Sequence, residues 1–118
     1  TGDPEHVPLG KYARDALHGE GVWDDVRSRL LPADSAGAAL RLVASGQVAA
    51  GIVYASDAKA AKLDIACTFP PADPPIAYVA GLVSQAPEGR QFLEFLTGKE
   101  GTKVICRHGL SLPQGQQC

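Results

Sequence analysis

An α/β fold is predicted by three features: stretches with apolar residues three and four apart, short apolar runs between them, and turn residues at the joints. Thirteen glycines and nine prolines cut the 118 residues into short elements, and the 45% hydrophobic content suffices for an ordinary packed core.

Residues 1 to 9, broken by Pro4 and Pro8, read as a loop. From Gly10 to Leu17 the apolar set Tyr12, Ala13, Ala16 and Leu17 falls at helical spacing, with Gly19 and Gly21 as stops. Val22 to Leu30 predicts a helical turn or two, its N-terminus favoured by Asp24 and Asp25. Asp34 or Ser35 can cap a helix from about Ala36 to Ser45, with a stripe of Leu40, Val43 and Ala44 widened by Ala39 and Leu42.

Ala50 to Tyr54 has strand character, and residues 55 to 60 lead away from it as a short helix or turn. Leu63 to Phe69 and Ile76 to Val83 predict two more strands, separated by a proline-rich loop that cannot donate to a sheet. Gly89 to Leu96 and Glu100 to Cys106 read as helices divided at Thr97-Gly98, and residues 113–118 form a polar tail. After residue 78 the pattern resembles an appendage, as of a chain passing from one lobe to another.

Eleven basic and thirteen acidic residues are mixed along the chain. The densest basic group, Lys103, Arg107 and His108, is too sparse for nucleic acid, which is excluded as a partner. Cys67 and Cys106 lie in apolar runs and read as small buried hydrophobes, whereas Cys118 in the tail reads as free and exposed; a Cys67–Cys106 disulfide is the alternative. The start at Thr1, without methionine, suits either a processed protein or a fragment, and no apolar run has bilayer length.

Catalysis finds no support. Ser56-Asp57 lacks a nucleophile elbow, Gly19-Glu20-Gly21 lacks the Gly-Lys-Ser/Thr of a phosphate loop, and His6 and His108 lack a third ligand for a metal. His6, next to Glu5, reads as a brace for the loop, and His18 suits a helix end. Neither an enzyme, a cofactor nor a bound metal is expected.

Four stretches resemble the periplasmic molybdate-binding proteins of ATP-driven importers: residues 2–13 (Gly-Asp-Pro-Glu-His-Val-Pro-Leu-Gly-Lys-Tyr-Ala), Ala38-Ala39-Leu40 through Val43 and Gly46, the run Gly51-Ile52-Val53-Tyr54-Ala55-Ser56-Asp57-Ala58, and Phe92-Leu93-Glu94-Phe95-Leu96. Order and spacing match from residue 2 to about Gly109. The resemblance implies one lobe of a type II periplasmic-binding-protein fold, a central mixed sheet flanked by helices. It implies that residues 1–77 form the second, anion-binding lobe, with 78–112 a return segment that packs on a first lobe.

By the same resemblance Leu9 and Ala36 donate backbone N–H groups to an oxyanion and Tyr54 its phenolic O–H. This sequence departs from the family pattern with a larger residue at Leu9, alanine where valine is common at Ala36, and no proline after Tyr78. The implied ligand is molybdate or tungstate, the partner a membrane permease, and the location periplasmic or anchored outside the membrane.

Such a site suits its ligand. A tetrahedral dianion offers four acceptors and no proton, so neutral donors at helix starts favour it and a carboxylate would repel it. Gly10 and Gly37, each following a donor position, are expected to let the backbone approach the anion. Taken singly, Tyr54 is a packing tyrosine and Ala36 an ordinary first-turn residue; together in the family register, with Leu9, they favour anion contact. The alternative is a binding-incompetent fragment that self-associates through Phe92, Phe95 and Leu96.

Overall fold

The computed structural model describes residues 1–113 and 118, and these divide into two units, Thr1–Pro75 and Ile76–Cys118. In the first unit, helix α1 spans Pro8–Gly19, beginning before the predicted Gly10 because proline is at home in a helix's first turn. Leu9, Ala13 and Leu17, one turn apart, form its buried face. The Glu20 N–H returns to the Ala16 carbonyl at 3.1 Å, and Gly21 follows at φ 71°, a left-handed conformation that glycine adopts without cost. The His18 ring lies 5.3 Å from that of Trp23.

Helix α2, Trp23–Val26, passes into a single 3-10 turn at Arg27–Arg29. Helix α3 covers Ala36–Ala44, and of the two candidate caps it is Ser35 that closes the N-terminus, its hydroxyl accepting the Ala38 N–H at 3.1 Å. The buried centre of α3 is Ala39 rather than the Leu40, Val43 and Ala44 stripe, since Ala36, Ala38 and Leu42 around it pack against the core. Helix α4, Ala55–Ala60, ends where Lys62 takes φ 54° and the Leu63 N–H reaches back to the Ala58 carbonyl at 2.9 Å.

The expected central mixed sheet is absent among the described residues. Ala50–Tyr54, Leu63–Phe69 and Ile76–Val83 contain no strand, and the sole β pairing there is an isolated parallel bridge between Gly2 and Ala33. In that bridge the Asp3 N–H donates to the Ala33 carbonyl at 2.8 Å and the Ala33 N–H to the Thr1 carbonyl at 2.9 Å. An apolar run encodes extended backbone, but a strand requires a neighbour for its N–H and C=O groups. Among the described residues no strand pairing forms along these runs.

The second unit contains α5, Pro87–Thr97, and α6, Lys99–Arg107, joined at Gly98. A β-carbon on Gly101 would collide with the Phe95 carbonyl and Leu96, so its absence is what lets α6 start against the end of α5. The cysteine expectations are overturned: Cys106 and Cys118 form a disulfide, and Cys67 is free and exposed. Sequence spacing carried no signal for this pair. Of the expected polar tail, residues 114–117 lie outside the described residues. No helix among the described residues is long and apolar enough to cross a membrane.

Candidate functional site

The loop before α1 is organised by Asp3. Its carboxylate accepts the Glu5 N–H at 2.7 Å and faces the His6 ring at 3.1 Å, and these contacts, the Glu5 amide foremost, hold its pKa below the ordinary carboxylate value. The Asp3 carbonyl accepts the Val7 N–H at 2.9 Å, and Glu5 reaches Arg14 of α1 at 2.9 Å. The His6 brace thus runs to Asp3, and the loop delivers the chain to Pro8 in an extended conformation at Val7.

Leu9 stands in the first turn of α1 and is 3% exposed, forming a core cluster with Ala33 and Ala39. Ala36, first residue of α3, and Tyr54, which precedes α4, are both half-buried and pack against that cluster. The three positions singled out in the sequence therefore share one apolar nucleus. Among the described residues, the N–H groups of Leu9 and Ala36 meet no acceptor, as expected of donors in first helical turns. Their orientation adds the positive end of each helix dipole.

The expectation for Gly10 is overturned. The place of its missing side chain is filled by the backbone of Gly2 and Asp3, so Gly10 serves close packing of α1 on the lead-in loop. Gly37 differs: a β-carbon there would meet only the Nη1 of Arg41, at 3.5 Å, an ordinary contact.

An open hollow of about 720 Å³ flanks the same nucleus, lined by Pro32, Ala33, Asp34, Ala38, Arg41 and Gln47 among others. Leu9, Ala36 and Tyr54 do not line it. Sequence reasoning missed Arg41. A glycine at 37 with a long cation four residues later is the available signal, because helical side chains lean toward the N-terminus. Among the described residues, no group of three or more His, Cys, Asp or Glu side chains is arranged to hold a metal ion.

With this geometry in view, the comparisons with known proteins define the class: residues 1–111 match the family of bacterial extracellular solute-binding proteins, and the chain belongs to that family. Its relatives include the molybdate-binding protein ModA of Escherichia coli (strain K12), 37% identical over 118 residues, covering 95% of this chain and 45% of that protein. ModA of Haemophilus influenzae (strain ATCC 51907 / DSM 11121 / KW20 / Rd) is 36% identical, covering 94% of this chain and 45% of the relative. A putative ABC transporter substrate-binding lipoprotein, YvgL of Bacillus subtilis (strain 168), is 32% identical, with 93% and 44% covered. The chain thus spans about half the length of the curated relatives it matches.

Proposed function

We propose that the chain supplies one side of a cleft that binds a tetrahedral oxyanion, molybdate or tungstate, for ATP-driven import through a membrane permease. In this reading residues 1–77 are the anion-binding lobe, residues 78–112 return to the companion lobe, and the protein works outside the cytoplasmic membrane, binding without catalysis. Leu9 and Ala36 donate their backbone N–H groups and Tyr54 its phenolic O–H.

The supporting observation is that Leu9, Ala36 and Tyr54 share one apolar nucleus while the Leu9 and Ala36 amides have no acceptor among the described residues. The 36–37% identity to two molybdate-binding proteins points to the same ligand. A donor set without carboxylates matches an anion that has no proton to give. The extended runs at 50–54, 63–69 and 76–83 become strands of a central mixed sheet once a companion lobe is present.

Calorimetric titration of the full-length polypeptide with molybdate, tungstate and sulfate tests the proposal. Tight binding of the first two and weak binding of sulfate are expected; sulfate binding as strong as molybdate binding would overturn it.

A second reading concerns the 118 residues alone, and one observation favours it. Phe92 and Phe95 of α5 are 61% and 48% exposed, an apolar face that drives association when nothing covers it. The isolated chain then forms dimers or larger assemblies in light scattering, and a monomer mass at high concentration would contradict this.

A further inference from the structure

Arg41 lies back over its own helix beside the open hollow. Its side chain lies back along α3 toward the first turn, with one Nη1 at 3.5 Å from where a β-carbon on Gly37 would stand. Arg41 has no ion pair among the described residues, so its charge is not neutralised by a carboxylate there. It lines the open hollow beside the nucleus that holds Leu9 and Ala36, where the one carboxylate is Asp34. Five residues of helix separate Arg41 from Ala36, roughly 7.5 Å of axial rise, and the folded-back side chain shortens that distance.

We infer that Arg41 is an electrostatic steering residue, which draws a tetrahedral dianion toward the amide at the start of α3 without ligating it in the bound state. This inference rests on the oxyanion reading proposed above. Gly37 is part of the device, because a bulky side chain there would occupy the space the guanidinium takes. Asp34 acts with the opposite sign and limits the positive field. A single positive charge about 10 Å from a dianion changes its encounter by about three- to five-fold in dilute buffer, and salt removes the effect as the screening length shrinks below that distance.

The test uses the full-length polypeptide and molybdate itself, with affinity from calorimetry and association rates from stopped-flow intrinsic fluorescence at several ionic strengths. Arg41→Gln is expected to slow association about three- to five-fold at low salt, with the difference vanishing at about 1 M salt, where screening is nearly complete. Arg41→Lys retains the rate, and Asp34→Asn raises it. Dissociation is unchanged in all three. Circular dichroism checks that each variant is folded. If the unsubstituted protein binds molybdate but Arg41→Gln associates equally fast at every salt concentration, steering by Arg41 is refuted and the oxyanion reading stands. If the unsubstituted protein fails to bind molybdate at all, both fall together.

Discussion

The two units of the chain solve the problem of burial to very different degrees. In the first, Leu9, Ala13, Leu17, Ala33, Ala39 and Ala58 are buried, and Leu9, Ala33 and Ala39 form one cluster. In the second, Gly101 is the one buried residue of either helix, while Val79 and Val83 stand fully in solvent. The two sequences are comparably apolar in pattern; what differs is how much of that apolar surface each unit buries. The second unit carries an exposed apolar face, and the chain spans about half the length of its curated relatives.

This contrast can be broken most severely at Gly10. Alanine there collides with the backbone of Gly2 and Asp3, and backbone gives way less easily than a side chain. We expect Gly10→Ala to cost about 2–3 kcal/mol in chemical denaturation of the first unit, an overpacking penalty. Gly37→Ala, whose β-carbon would meet only an Arg41 Nη1 in ordinary contact, is expected to cost little. Equal penalties at the two positions would contradict the distinction drawn between them.

In the second unit, Gly101→Ala separates α6 from the end of α5 and costs about 1–3 kcal/mol by the same mechanism, read as lost amide protection in residues 99–107. Next in size is Ser35→Ala, which removes the hydroxyl acceptor for the Ala38 N–H and costs about 1 kcal/mol of stability. Ser35→Asp retains the cap. Because Ala36 follows directly, the alanine variant also loosens a proposed donor.

The smallest effect is on acid stability. The Asp3 carboxylate is favoured in the fold by the Glu5 amide and His6, so its pKa is lower folded than unfolded. Its contribution is present above the ordinary carboxylate pKa and disappears as pH falls through the lowered folded value. Asp3→Asn is therefore expected to flatten the acid limb of a stability–pH profile slightly and to leave neutral and alkaline stability dependence unaltered.

How far the sequence was legible follows from the range of the interactions. Helices were readable because their signals are local: Ala13 and Leu17 recur at one-turn spacing, Ser35 marks a start and Gly21 a stop, although Pro8 and Leu9, read as loop, proved to open α1. Strands were not, because the runs at 50–54, 63–69 and 76–83 encode an extended backbone but no partner. The cysteine pairing failed for a similar reason, as the pairing of Cys106 with Cys118 is a spatial fact that leaves no compositional trace. Gly10 was recognised as a place of close approach, yet what approaches it, the Gly2–Asp3 backbone, is a tertiary fact. The site positions Leu9, Ala36 and Tyr54 came from family resemblance, since none is distinctive by residue type alone.

The central claim is that neutral donors from two helix starts and one tyrosine converge on a single anion. A crystal structure of the full-length polypeptide grown with molybdate tests it most directly. The account predicts the anion's oxygens at about 2.7–3.2 Å from the amide nitrogens of Leu9 and Ala36 and the hydroxyl of Tyr54. An anion seated elsewhere, with those three groups turned to solvent or to other protein atoms, would contradict it.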